Sequence, residues 1–391
     1  MAHMRLPPLP VSEYQGRIAR LQAELQRAGL DAFVGYSSES ESAASRYLAG
    51  FWPFFDFCCV VVPARGAAAL VTGGPESFEF AVKFARAVEV RINPLLVETS
   101  PPEWVPEVHG ESFRTLIPAL CGGTPRRIGI GGWNIFPHPL FEDLRAGAPR
   151  AEMVPADDLL LRVQSVKTEA EIPYILEAYR ITEESMKAGL AAAAPGKREW
   201  ELESAARQKM IELGAEGTPY PAWVCSGPTA PLSLCRSTDR AIQRDELVQL
   251  TIGAKYMGYC GNMCRPFVMG KAPREARKLM DAALEAVHYA LGAIRPGKAA
   301  RDVFQGYYDI LRRHGYEKFT LYGPAHGTGH SEVEGLWLAE KADFAIQPNM
   351  LFNIDIWLSD GTYGMRYEDG VLVTADGLRE LTSWRREVIE L

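Results

Sequence analysis

The sequence predicts an α/β (α+β) chain of two domains, on three observations. At 391 residues it is longer than one ordinary hydrophobic core requires. Its first part mixes amphipathic stretches with short apolar runs, the pattern of a small α/β domain. Its second part twice repeats helices followed by a β-hairpin, which suggests two α/β halves facing each other, helices outside and a curved antiparallel sheet inside. The N-terminal domain is expected over residues 1–158 and the second over 159–391.

VSEYQGRIARLQAELQRAGLDAFVGYS reads as an amphipathic helix ended near Gly29, then a buried strand. RYLAGFWPFFDFCCVVVPARGAAALVTGG gives an aromatic loop and two short strands around an Ala-Arg-Gly turn. RIGIGG, from Arg127 to Gly132, is a further strand, and the domain ends near Asp157 and Asp158. LLLRVQSVKTEAEIPYILEAYRITEESMKAGL opens the second domain with a long helix capped near Lys167 and Thr168. Further helices are expected at Glu199 to Leu213, Pro273 to Ile294 and Ala299 to Arg313.

The first hairpin is LVQLTIGAKYMGYCGNMCRPF and the second MLFNIDIWLSDGTYGMRYEDGVLVT. Opposed residues of an antiparallel pair have a constant index sum. The first hairpin, turning near Met257-Gly258, is expected to bring Thr251 close to opposite Asn262, and the second, turning near Asp360-Gly361-Thr362, to bring Asp355 close to opposite Glu368. Between the hairpins lies PAHGTGHSE, with His326 and His330 in a glycine-rich stretch.

Hydrophobic content of 47% and charged content of 23% are those of a soluble globular protein. A net charge of −7 with no Lys/Arg run argues against a nucleic-acid partner. No apolar stretch approaches the roughly 20 residues that span a bilayer, and MAHMRLPPLP lacks the apolar core of a signal peptide. Seven cysteines without small-scaffold spacing point to reduced thiols and a cytoplasmic setting. Cys58, Cys59 and Cys121 lie in apolar surroundings and read as core.

Chemistry is expected where the hairpins and the glycine-rich stretch meet. His330 is suited to proton transfer near neutrality. Asp355 and Glu368 are carboxylates on inward faces, and two of them close together cannot both ionise comfortably without a cation. Arg366 shares a face with Glu368. Cys264, two residues after Asn262, points to the same face, and a thiol near an imidazole is readily activated. Cys235 is a second candidate thiol.

These residues and spacings resemble the pita-bread-fold family of creatinase, prolidase, aminopeptidase P and methionine aminopeptidase. The resemblance implies a pita-bread second domain behind a creatinase-like N-terminal domain. It also implies five stations that hold two metal ions in the metallopeptidases as Asp, Asp, His, Glu and Glu. Here the stations read Thr251, Asn262, His330, Asp355 and Glu368. His326 matches a second family histidine; the third is missing, with Ala339 standing before Glu340. Two anionic ligands are thus neutral, so no metal and no cofactor are expected, as in the metal-free creatinase branch. Creatinase's own features depart too. Leu234, beside Cys235, occupies its catalytic histidine's place, Cys264 that of a substrate-binding Glu, and Phe54 and Asp56 that of its Phe-x-Arg clamp.

The reading that follows is a metal-independent small-molecule hydrolase of creatinase type, acting on a C–N bond by hydrolysis or a related elimination or cyclisation. Its substrate would carry a cationic group. Glu368 or Asp355 would be general base and His330 general acid, with Cys264 or Cys235 as alternative nucleophiles. Thr251, Asn262, His326 and Arg366 would bind substrate. The loop Gly50-Phe51-Trp52-Pro53-Phe54-Phe55-Asp56-Phe57 is too aromatic for a monomer's surface. It suggests a homodimer in which Trp52, Phe54 and Asp56 complete the neighbour's site. The rival readings are a prolidase-like or Xaa-Pro aminopeptidase-like metallopeptidase with a degenerate single-ion site, and an inactive pita-bread binding module.

Overall fold

The structure, a computed structural model, describes residues 5–98 and 108–391. Its contacts divide the chain into two compact units. One is Pro8–Gln164; the other is Ser165–Leu391 with the N-terminal residues up to Pro7. The division falls at Gln164–Ser165 rather than after Asp158 because the helix Asp157–Ser165 lends Leu159, Leu160 and Val163 to the first unit's core.

The first unit is a six-stranded mixed sheet of β1 (Ala32–Ser37), β2 (Cys58–Pro63), β3 (Ala69–Thr72), β4 (Glu89–Ile92), β5 (Arg127–Gly131) and β6 (Glu152–Pro155), in the order β4-β3-β2-β1-β5-β6. β1 and β2 are buried along their whole length, since apolar clusters cover both faces of the sheet. The helix Val11–Ala28 ends at Gly29, whose φ of 65° is the left-handed conformation that glycine takes without strain. Cys58 and Cys59 are fully buried, whereas Cys121, at a helix end, is only partly so.

The second unit holds an eight-stranded sheet. Its strands are β7 (Trp223–Ser226), β8 (Leu247–Tyr256), β9 (Tyr259–Val268), β10 (Ala325–Gly327), β11 (Leu351–Ser359), β12 (Gly364–Val373), β13 (Leu378–Glu380) and β14 (Ile389–Glu390). The path is β10-β11-β12-β9-β8-β7, antiparallel throughout, with β13 beside β12 and β14 parallel to β9. Helices Ile172–Ala191 and Glu199–Glu212 accompany the β8–β9 hairpin; Arg274–Ala293 and Ala300–His314 accompany β11–β12. This is the doubled helix-and-hairpin plan that the sequence suggests.

Strand alternation sorts the side chains. Phe352, Ile354, Ile356 and Leu358 of β11, with Met365, Tyr367, Val371 and Val373 of β12, join the core that includes Leu279, Ala283 and Val287. Val248, Leu250 and Ile252 of β8 do the same with Met186 and Leu202. Each large side chain so buried stabilises the fold by roughly 1.5–3 kcal/mol. The intervening residues of each strand, including Asn353, Asp355, Arg366, Glu368, Thr251 and Cys264, are left for the opposite face. They are nonetheless almost wholly buried.

Candidate functional site

Register assembles the site. Asp355 pairs with Glu368, as the index sum predicts. Thr251 does not pair with Asn262: it faces Cys264, and Asn262 faces Gly253. A turn about Met257-Gly258 has an index sum of 515, which pairs Thr251 with Cys264; the expected pair sums to 513 and is two residues out of register. Met257 and Gly258 both have positive φ, 49° and 90°, a two-residue connection that fits the strand twist and makes Tyr256 and Tyr259 the closing pair. Since Cys264 also pairs with Glu368, and Trp223 with Thr251, one row runs Trp223–Thr251–Cys264–Glu368–Asp355 across five strands.

The histidine beside this row is His326, not His330. β10 pairs with β11 so that His326 faces Asn353, two residues from Asp355. One donor atom each from His326, Asp355 and Glu368 lies within 4.8 Å of the other two. His330 is buried differently: its ring packs 4.4 Å from that of Tyr259, and its backbone N–H donates to Glu334 Oε1 at 2.6 Å. Glu334 is in turn ion-paired with buried Lys167 at 2.5 Å. Of the two histidines, His326 is the one grouped with these carboxylates.

The donor atoms of the trio are poised for a cation. His326 Nδ1 lies 3.0 Å from its neighbour Gly327's carbonyl oxygen, so that nitrogen carries the proton and Nε2 the lone pair. Nε2 makes no hydrogen bond, with Glu332 Oε1 3.5 Å away. Asp355 Oδ1 and Glu368 Oε2 are likewise buried without a hydrogen bond, as is Asn262 Oδ1 on the same face of the sheet. Native interiors seldom leave such atoms unsatisfied. One imidazole nitrogen and two carboxylates fit a single divalent transition-metal ion. Thr251 donates to Cys264 Sγ at 2.9 Å, so these two neutral side chains satisfy each other and bring no anion to a second ion.

Burial pushes the Glu368 carboxyl well above the ordinary carboxylate range; Asp355 adds to the shift and Arg366 opposes it. Burial raises Glu332 as well, with His326 opposing. The Arg366 guanidinium lies 3.4 Å from Asp355 Oδ1 and over the rings of Trp223 and Tyr322, at 5.8 and 5.4 Å. Burial disfavours its charge, but Asp355 and Glu368 outweigh that and hold it protonated. Burial also pushes the Cys264 thiol up, against the pull of Arg366, so the reactive thiolate is suppressed. Cys235 is half-buried, its Sγ 3.3 Å from the Arg236 carbonyl oxygen.

A cavity of about 380 Å³ opens onto His326, Asp355 and Arg366. Its walls include Tyr220, Trp223, Tyr322 and Trp337, with Glu332, Cys235 and Arg236 as polar members. Tyr322 stacks on Trp337 at 6.1 Å, and the Tyr220 hydroxyl is buried without a hydrogen bond. Sequence reasoning missed the four aromatic residues and Glu332; Glu332 alone left a signal, as an acid beside the histidine stretch. Trp52, Phe54 and Asp56 belong to the first unit. Phe54 is exposed, Trp52 Nε1 donates to the Glu39 carbonyl at 2.8 Å, and Asp56 accepts from the backbone N–H of Gly74 and Glu98 at 2.7 and 2.8 Å.

Residues 174–375 match the profile of metallopeptidase family M24, and residues 17–166 that of the creatinase/prolidase N-terminal domain. An Xaa-Pro dipeptidase of Pyrococcus furiosus is 27% identical over 257 residues, 64% of this chain and 73% of that protein. An uncharacterized hydrolase/peptidase of Sinorhizobium fredii is 26% identical over 402 residues, 99% of each chain. Among solved structures, a prolidase from Thermococcus sibiricus superposes with a TM-score of 0.83 at 22% identity, over 97% of this chain and 99% of that one. These likenesses overturn the metal-independent, creatinase-type C–N hydrolase expected from the sequence: the two Pyrococcus relatives are named Xaa-Pro dipeptidases, and the matching family is one of metallopeptidases. The expectation counted lost anionic ligands, whereas His326, Asp355 and Glu368 still converge, with Arg366 ion-paired to Asp355.

Proposed function

We propose that this chain, which belongs to metallopeptidase family M24, is a peptidase of Xaa-Pro type that works with one divalent ion held by His326, Asp355 and Glu368. The observation that carries the reading is the convergence of these three buried residues, each with a donor atom that makes no hydrogen bond. The names of the Pyrococcus relatives support the substrate class.

An ion bound there supplies a Lewis acid that polarises a carbonyl and lowers the pKa of water. The chain's own residues do the rest. Arg366 fixes Asp355 and offsets the negative charge gathered on this face of the sheet. Glu332, whose raised pKa keeps its proton to higher pH than an ordinary carboxyl, lines the cavity beside His326 and can protonate the leaving nitrogen. The Tyr220 hydroxyl offers a hydrogen bond to the same space. Trp223, Tyr322 and Trp337 exclude water and suit the apolar ring of a prolyl residue. Homodimerisation through the first unit's aromatic loop belongs to the same proposal, supported by the exposure of Phe54 and Phe55 and tested by light scattering.

The deciding experiment strips the protein with chelator, restores Mn, Zn, Co or Fe singly, and assays a panel of Xaa-Pro and control dipeptides. Proline-selective hydrolysis that returns with about one equivalent of metal supports the reading. Hydrolysis indifferent to chelator, or metal uptake without hydrolysis of any peptide, sinks it.

A further inference from the structure

Glu368 does not meet the cation site as a free carboxylate. Its Oε1 accepts from Asn353 Nδ2 at 2.5 Å, while its Oε2 makes no hydrogen bond. Asn353 is itself held, for Tyr179 donates its hydroxyl to Asn353 Oδ1 at 3.1 Å. The amide thus turns its oxygen to the Tyr179 hydroxyl and its NH2 to the Glu368 carboxylate. All three side chains are fully buried, so no solvent competes. The sequence makes room for this relay at Gly370, where any Cβ would overlap the Tyr179 ring. Gly370 faces Asn353 across the β11–β12 pair, and Asn353 faces His326 across β10–β11. The relay thus runs between two of the three cation-binding residues.

We propose that Asn353, held by Tyr179, orients Glu368 so that it offers a single oxygen, Oε2, to the ion, and so sets the affinity and coordination of the site. Asn353 and Tyr179 are positioning residues; neither touches the ion or the substrate. The proposal rests on the single-ion reading above. Without the amide, Glu368 turns freely and can offer both oxygens, while the Tyr179 hydroxyl loses Asn353 and keeps its bond to Thr328.

The test is a titration of chelator-treated protein with Co(II), followed by calorimetry and by the visible d–d absorption of the bound ion. Wild type is expected to take up about one equivalent. Asn353→Leu should bind about 10–100-fold more weakly, the usual loss when a residue behind a metal ligand is removed, and its absorption bands should shift as the carboxylate's binding changes. Tyr179→Phe, which keeps the ring packing, should change both readouts in the same direction by less. Wild-type affinity and spectrum in both variants would overturn the proposal, and Tyr179→Phe decides alone if Asn353→Leu does not fold. No uptake by wild type overturns the single-ion reading itself, whereas uptake by wild type with unaltered variants overturns only the relay.

Discussion

The two hairpins of the second unit have the same architecture and opposite chemistry. On the site face, β8–β9 presents Thr251, Asn262 and Cys264, and β11–β12 presents Asn353, Asp355, Arg366 and Glu368. In the first hairpin Thr251 and Cys264 bond to each other, and only the neutral Asn262 Oδ1 is left without a hydrogen bond. In the second, Asp355 and Glu368 each keep one buried oxygen without a hydrogen bond. On the single-ion proposal, capacity for a metal is not read from the number of acidic residues a chain has lost. It is read from which donor atoms the remaining network leaves open.

The largest expected effect comes from removing one of those atoms. Glu368→Gln keeps the volume and an oxygen for Asn353 but removes the anion. Metal uptake and peptidase rate should fall by more than the about 10–100-fold cost of a change behind a ligand. Elemental analysis and turnover measured on the same sample check it; a variant that keeps one equivalent and near wild-type rate would assign the ion elsewhere.

Arg366→Leu attacks the same hairpin through its cation. It strands Asp355 and Glu368 without their buried counter-charge, and breaking such a pair costs about 3–5 kcal/mol. Denaturant unfolding in chelator measures it, and restoring metal should recover part of the loss. A cost below about 1 kcal/mol would mean that the carboxyls are already protonated in the metal-free fold.

That point has its own pH signature. Glu368 and Glu332 have folded pKa values raised above their unfolded ones, so the folded chain binds more protons than the unfolded chain above the ordinary carboxylate range. Stability of the chelated protein should then decline as pH rises from about 4.5 through the raised values, by at most about 1.4 kcal/mol per pH unit for each proton. Glu368→Gln should flatten the slope. An unchanged slope in the variant would remove Glu368 as its source.

The neutral hairpin should respond weakly. Thr251→Val keeps the shape and removes the hydroxyl that donates to Cys264, a loss of about 0.5–1.5 kcal/mol. Metal stoichiometry should not change. If it does, β8–β9 contributes to the ion after all, and the contrast between the hairpins narrows.

How much of this was legible follows the range of the signals. Helices that end at Gly29 or begin at Glu199 announce themselves through local caps and periodicity, and the structure starts and stops them within a residue or two. The pairing of Asp355 with Glu368 also follows from one short turn. His326 was not singled out over His330 because its position depends on β10, three residues long, and no three-residue strand has a readable period. The pairing of Thr251 with Cys264 was legible too, since it follows from the Met257-Gly258 turn once the index sum is taken as 515. The cavity wall draws Tyr220 and Trp223 from one stretch and Tyr322 and Trp337 from another far along the chain, so only tertiary packing unites them.

The smallest effect lies at the outer edge of the neutral hairpin, where β14 runs beside β9. Glu390 there accepts from Lys271 Nζ at 2.8 Å, the Ala272 backbone N–H at 3.0 Å and Arg277 at 2.6 Å. Led by the Lys271 contact, these bonds lower its pKa to about 2. The sign is opposite to that of Glu368. A depressed folded pKa gives stability that is present above the unfolded value near 4.5 and is lost as pH falls toward 2. Glu390 is partly open to solvent, so salt should screen part of the gain as well. Glu390→Gln should therefore destabilise slightly at neutral pH and low salt, and the gap from wild type should close on acidification or on raising the salt. Measured side by side, Glu368→Gln should separate from wild type at high pH and Glu390→Gln should merge with it at low pH. A gap for Glu390→Gln that persists at pH 2 would mean that the side chain anchors β14 by packing rather than by charge.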